Sequence, residues 1–377
     1  MTTVAAVPLL RGERVVLRPM TSADTPLLMK WGSNPDFRHY QWARTRGVFD
    51  EADARKWIER MSRPGDSACW VLEHEGRPIG FANYRDHHPK GRSAEIGIGI
   101  GEPDLWGRHL GRDALTTLIR YLFDDLDLHR VGLSVVSFND RAIAMYKAVG
   151  FEVEGIERDG VGTEDGFVDD VKMAIVKGRP RPDFDPRPVT LAGEHVRLAP
   201  LRMEHAPALF EAGDEDEIWL WMQPRPRGVE GCRRYIRWAL DQQILGTQLP
   251  FAVIRNSDDT LVGTTRYAHI DPPNHTLEIG YTLYGKGARR TPVNTECKLL
   301  LLRHAFETLD ANRVWLQTDK RNERSQTAIA RLGATKEGEL RNERILPDGT
   351  LRTSVIFGIT KDEWPSVRQR LLEYLAR

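Results

Sequence analysis

The side chains best suited to chemistry lie in two short stretches. In SFNDRAIAMYKAVGF (137–151) a strand reads into Asn139, a helix begins just after it, and Tyr146 follows inside that helix. Asn is a preferred helix cap, and a tyrosine hydroxyl is a proton donor that keeps its proton at neutral pH. The pair reads either as capping and packing or as a polar binding group with an acid beside it. In EIGIGIGEPDLWGRHLGRDAL (95–115) a strand passes through a glycine-bearing turn into a helix that opens near Arg112. Amides at such a helix start lack partners, point outward and favour an anion such as a pyrophosphate; Arg108 and Arg112 add positive charge. The alternative is a glycine-rich turn packed closely on the sheet. The turn is no P-loop, because no Gly-Lys-Ser/Thr follows at the required spacing, and it does not fit the dinucleotide fingerprint.

The elements that must position these residues occur twice. LRGERVVLRPM (10–20) returns as LAGEHVRLAPL (191–201) at an offset of 181, and EIG at 95–97 returns at 278–280 at an offset of 183. The second offset holds without a gap through Leu126/Leu309, Arg130/Arg313, Asn139/Asn322, Arg141/Arg324, Gly150/Gly333 and Gly155/Gly338. So long a register marks a tandem duplication. Its period is far too long for a solenoid, so each copy needs its own core. Between the copies GRPRPDFDPRPVT (178–190) carries prolines that deny the chain helix and most ladder bonds, and it reads as a semi-rigid linker. The domains are then 1–178 and 191–377, joined by 179–190.

Each copy reads as β–α–α–β–β–β–α–β–α–β, an α/β fold with a mixed, mostly antiparallel sheet flanked by helices. Leu115, Leu118, Ile119 and Leu122 recur at helical spacing after the first glycine-bearing turn. DEWPSVRQRLLEYLAR (362–377) predicts a closing helix with Pro365 in its first turn.

Composition narrows the class. The 377 residues hold 54 Lys+Arg and 54 Asp+Glu, so there is no basic excess to suggest a nucleic-acid partner. Cys69, Cys232 and Cys297 are far apart, with no metal or redox spacing, which fits a reducing cytosol. The N-terminus lacks the pattern of a signal peptide, and the apolar run at 299–302 is far too short to span a bilayer. A cytoplasmic protein without membrane attachment is expected.

The stretches 95–115 and 137–151, with WGRHLG (106–111) in place of the signature Q/R-x-x-G-x-G/A, resemble the GNAT superfamily of N-acetyltransferases. They are most similar to the branch acting on ribosomal-protein N-termini. The resemblance covers most of both copies. It implies acetyl-CoA, or another acyl-CoA, as co-substrate and an amine as acceptor: a small molecule or a protein or peptide N-terminus. It implies no metal. Trp106, Gly107, Arg108, His109, Leu110, Gly111 and Arg112 would hold the pyrophosphate. Ile98, Gly99 and Ile100 would pair with the pantetheine arm, Asn139 would contact it, and Tyr146 would protonate the departing thiolate. Glu95 would be the general base or a structural ion pair, with Asp169 and Asp170 as further base candidates.

Both copies depart from the pattern. His109 stands where the family has glycine, and a side chain there resists positive φ. In the second copy RRTPVN (289–294) replaces WGRHLG; Pro292 has no amide hydrogen to offer, and Ile329 stands at the position of Tyr146. Thr291 and Asn294 match a Q-x-T-x-x-N version of the loop, so CoA binding there stays open. The first copy is expected to carry the activity and the second a structural, CoA-holding or substrate-shaping role. The acceptor segment holds Trp31, Phe37, Tyr40, Trp42 and Trp57 in the first copy, and Trp219, Trp221, Tyr235 and Trp238 in the second, as pocket or core. The competing reading is a non-catalytic module that binds acyl-CoA or another metabolite. A monomer and a homodimer are equally compatible.

Overall fold

The computed structural model describes residues 7–41, 49–163, 166–179, 183–213, 219, 221, 225–346 and 348–376. The chain divides into two compact units, Met1–Arg181 and Pro182–Arg377. In the first, the strands are β1 (Leu10–Arg11), β2 (Val16–Pro19), β3 (Ala68–His74), β4 (Arg77–His88), β5 (Ser93–Ile100), β6 (Arg130–Val136), β7 (Glu152–Thr163) and β8 (Gly166–Val176). The helices are α1 (Thr25–Gly32), α2 (Pro35–Gln41), α3 (Glu51–Arg60), α4 (Leu110–Asp124) and α5 (Asp140–Val149). The sheet order is β1-β2-β3-β4-β5-β6-β8-β7. Neighbours are antiparallel except β5 and β6.

The second unit repeats this plan. Its strands are β9 (Leu191–Ala192), β10 (Val196–Pro200), β11 (Leu249–Arg255), β12 (Thr260–Asp271), β13 (Thr276–Tyr284), β14 (Arg313–Asp319), β15 (Thr335–Ile345) and β16 (Leu351–Thr360). Its helices are α6 (Ala206–Ala212), α7 (Gly228–Ile244), α8 (Pro292–Arg303), α9 (Glu323–Leu332) and α10 (Trp364–Leu375). Its sheet has the same order, and only β13 and β14 run parallel.

Each copy has two strands after the short helix, where the sequence predicts one. The Asp-Gly dipeptides at 165–166 and 348–349 are the hairpin signals that mark them. The change of offset from 181 to 183 arises in one turn. Glu75 and Gly76, both left-handed, join β3 to β4, whereas residues 256–259 join β11 to β12. Phe184, inside the stretch read as linker, is buried in the second unit's core and stacks on His275.

Three shared features fix the parts that matter for function. First, β5 pairs with β6 only from Ser93↔Arg130 to Glu95↔Gly132, and β13 with β14 only from Thr276↔Arg313 to Glu278↔Trp315. Beyond those residues the strands separate, which leaves one edge of β5 from Ile96 onward open. Second, an acid near the start of the helix after the glycine-bearing turn ties that helix to the opening strands. Asp113 takes the amide hydrogens of Glu13, Arg14 and Val15 at 2.7–3.0 Å, and Glu296 takes those of Glu194, His195 and Val196 at 2.8 Å. Third, a Cβ on Gly80 or Gly263 would stand 2.1 Å from the carbonyl oxygen of Gly99 or Leu283, so close backbone approach demands glycine at both.

Candidate functional site

A cavity of about 650 Å³ opens in the first unit where β5 and β6 diverge, roofed by α2, α3, α4 and α5. Its lining includes Ile98, Gly99, Ile100, Trp106, Gly107, His109, Leu110, Gly111, Arg112, Asn139 and Tyr146. The fold thus brings two distant sequence stretches to one space. Of the site residues and base candidates named from sequence, Arg108, Glu95 and Asp169 do not line it; Asp169 instead accepts from the Asp159 amide at 2.8 Å. Arg108 is exposed, and its carbonyl accepts from Arg14. Glu95 is exposed and bonds the guanidinium of Arg85 at 2.6 Å, which is the ion-pair arrangement.

At one end of the cavity, α4 begins. Gly107 (φ 78°) and His109 (φ 62°) are both left-handed, so the histidine adopts the conformation its side chain disfavours. The first-turn amides of Leu110, Gly111 and Arg112 have no carbonyl partner within their own helix, and Arg112 lies beside them. A side chain at Gly111 would press on Met145 Sδ, at 3.1 Å, inside the cavity. Trp106 anchors the turn by donating to the Ile100 carbonyl, and the Arg141 guanidinium lies 4.1 Å above its ring. An anion of pyrophosphate character fits these donors and charges.

In the middle stand Asn139 and Tyr146, both held by α5. The Asn139 side chain caps that helix, accepting from the Ala142 amide at 3.2 Å. Tyr146 is buried with its ring beside Phe151, and burial pushes its hydroxyl well above the ordinary value. The hydroxyl therefore stays protonated at neutral pH.

At the far end lie Phe37, Trp57 and Phe81, with Asn83, Ser134 and Asp170, whereas Tyr40 lies toward the α4 end, its ring 6.0 Å from that of Trp106. The Trp57 and Phe81 rings meet edge to face at 4.9 Å. Trp31 is fully buried core, its indole nitrogen bonded to Glu102, and Trp42 lies outside the described residues. Asp170 is 1% exposed and bonds Lys172, which also reaches Ser134 Oγ at 3.0 Å and Glu157 at 3.1 Å. Asn83 went unremarked in the sequence. A polar residue inside a strand gives no local signal, and only its register opposite Gly97 brings it to the cavity.

The second unit is built differently at the matching positions. Ile329 packs into its core. Arg290 (φ 59°) takes the place of Gly107, and α8 starts on Pro292 with Thr291 as its cap, accepting from Val293. Asn322 caps α9 through the Ser325 amide, as Asn139 caps α5. Glu278, the counterpart of Glu95, is buried and bonded to His269 at 2.7 Å and Gln317 at 3.3 Å. Lys298, on the buried face of α8, bonds Thr282. Of the aromatics, Trp219 joins the core, Trp221 lies under Arg321, and Tyr235 and Trp238 enclose Arg266. Among the described residues no cluster of His, Cys, Asp or Glu could hold a metal, and no helix is long and apolar enough to cross a membrane.

The family described as acetyltransferase (GNAT) domain matches residues 14–152 and again 195–335. An uncharacterized protein of Methanocaldococcus jannaschii is 26% identical over 143 residues, 37% of this chain but only 28% of that protein. An uncharacterized N-acetyltransferase, p20, of Bacillus licheniformis is 28% identical over 170 residues, 44% of this chain and 94% of its own. The solved structure of a GCN5-related N-acetyltransferase from Brucella melitensis is 27% identical with a TM-score of 0.49, covering 53% of this chain and 90% of that one. With a GNAT domain matched in each half, the chain belongs to the GNAT acetyltransferase family.

Proposed function

We propose that the first unit transfers an acyl group, most simply acetyl, from acyl-CoA to an amine, and that the second unit performs no chemistry. One observation carries this reading: a single cavity joins the open amides of α4, the unpaired edge of β5 and the buried hydroxyl of Tyr146. The amides of Gly107 to Arg112 and the Arg112 guanidinium hold the pyrophosphate of CoA. The edge of Ile98–Ile100 receives the pantetheine arm, and one of its amides takes the negative charge that develops on the thioester oxygen. Acyl-CoA supplies a thioester carbonyl: the amine nitrogen bonds to its carbon, and the carbon–sulfur bond breaks.

The chain's own groups manage the protons. Tyr146 gives its hydroxyl proton to the departing sulfur, a service worth about 10²–10⁴ in rate. Asp170, which lines the cavity, takes the proton that the amine sheds, the role for which Glu95 was considered. Glu95 already pairs with Arg85 outside it.

The test is free-thiol release from acetyl-CoA across a panel of primary amines, with Tyr146→Phe as the variant. Turnover by the wild type, reduced in the variant while acetyl-CoA affinity is kept, supports the reading. Full turnover in the variant removes Tyr146 from the chemistry. Tight acetyl-CoA binding without turnover on any amine favours a module that only binds.

A further inference from the structure

The two units differ most at the far end of the cavity, and the second shows what chemistry that space accommodates. Asn83 lies opposite Gly97 across β4 and β5, and Arg266 lies opposite Gly280 across β12 and β13. These are the same position of the repeat. Asn83 is 3% exposed, and its Oδ1 has no hydrogen-bond partner among the described residues. A Cβ on Gly97 would come within 2.9 Å of its Nδ2, so the glycine makes room for the amide to lie there.

Arg266 is fully buried. Its Nη1 donates to Gln248 at 2.8 Å, while Nε and Nη2 find no partner among the described residues. Its guanidinium faces the rings of Tyr281, Tyr235 and Trp238 at 4.4, 5.0 and 5.2 Å. Aromatic faces attract a desolvated cation in place of a carboxylate. At the repeat positions of these three rings the first unit has Ile98, Ala54 and Trp57. The indole wall is kept, whereas two rings and the arginine give way to smaller side chains. What Arg266 fills in one unit is open in the other.

Resting on the acyl-transfer reading, we propose that the acceptor is a primary amine at the end of an unbranched aliphatic chain, entering the space that Arg266 occupies in the second unit. Its methylenes lie against Trp57, and its nitrogen donates a hydrogen bond to the orphan Oδ1 of Asn83. The charges around the space are compatible with an amine. Asp170 lines it, Arg85 is neutralised by Glu95, and Arg60 is exposed at the rim. Asn83 is a positioning residue here, because it holds the nitrogen and moves no proton.

The experiment compares 1,4-diaminobutane, phenylethylamine and a short peptide with a free N-terminus as acceptors for the full chain. Acetyl-CoA binding is measured by calorimetry on each variant. The expected results are a kcat/KM for the diamine at least about tenfold above the other two, and an Asn83→Ala variant with KM raised about tenfold and kcat little changed. Asn83→Arg, which copies the second unit, is expected to lose turnover with acetyl-CoA affinity unchanged. Preference for the peptide or the aromatic amine overturns the proposal, as does an Asn83→Arg variant that still turns over. Loss of acetyl-CoA binding by the wild type would instead defeat the acyl-transfer reading itself.

Discussion

The first unit keeps a cavity where its parallel strands diverge, whereas at the far end of the matching region the second buries Arg266 among Tyr281, Tyr235 and Trp238. The backbone plan is common to both: identical strand order, the same three-residue parallel pairing and an acid bridging the helix to the opening strands. The difference lies in which side chains enter the opening. Ile329 replaces the hydroxyl of Tyr146, Arg266 stands in place of Asn83 at the far end, and Pro292 in place of His109 has no amide hydrogen at the start of the helix. The shared features hold the fold, and most of the groups that the proposed reading gives to a ligand are unshared.

Breaking that division has graded consequences. Tyr146→Phe is expected to lower kcat about 10²–10⁴-fold, whereas Ile329→Tyr is expected to restore nothing, because Arg266 occupies the far end of the matching region. Steady-state thiol release measures both. Gly80→Ala and Gly263→Ala should each destabilise their own unit by about 3 kcal/mol, since a methyl group meets a carbonyl oxygen in either copy. Separate calorimetric transitions for the two units would show whether the effects match.

Lys298 separates the units in the opposite direction. Burial pushes its ammonium down to about 8, so folding disfavours its charge. Between about pH 8 and the ordinary lysine value of about 10.4 the unfolded chain holds more protons, and the second unit gains stability as pH rises through that window. Lys298→Met should stabilise this unit by about 2–3 kcal/mol at pH 7 and abolish the pH dependence, as followed by thermal unfolding. The smallest effect is the most symmetrical one. Asn139→Ala and Asn322→Ala each remove a helix cap and should cost about 1 kcal/mol apiece in chemical denaturation.

That symmetry explains what was legible in the sequence. The repeat, the strand and helix types and the family all follow from residues fixed by local rules, such as the capping Asn139 and Asn322. Asn139 survives in the second copy because capping alone requires it, so its persistence there says nothing about catalysis. Tyr146 stood out as a proton donor inside the motif-bearing helix, and Ile329 marked the second copy's departure from it. The direction of Glu95 was not readable, since strand alternation offers either face and Arg85 comes to it only through the β4/β5 register. Asn83 and Asp170 depend on the same long-range pairing, Asp170 lying opposite Val136 across β6 and β8. The extra strand in each copy was missed although an Asp-Gly turn marks it, because the segments before and after it form one hairpin of weak alternation.

The contrast between the units is tested most directly by titrating acetyl-CoA into the full chain by calorimetry. The expected result is one site per chain, abolished by Gly111→Trp in the first unit and untouched by Asn294→Trp at the matching position of the second. Two sites, or a single site that disappears with Asn294→Trp, would contradict it.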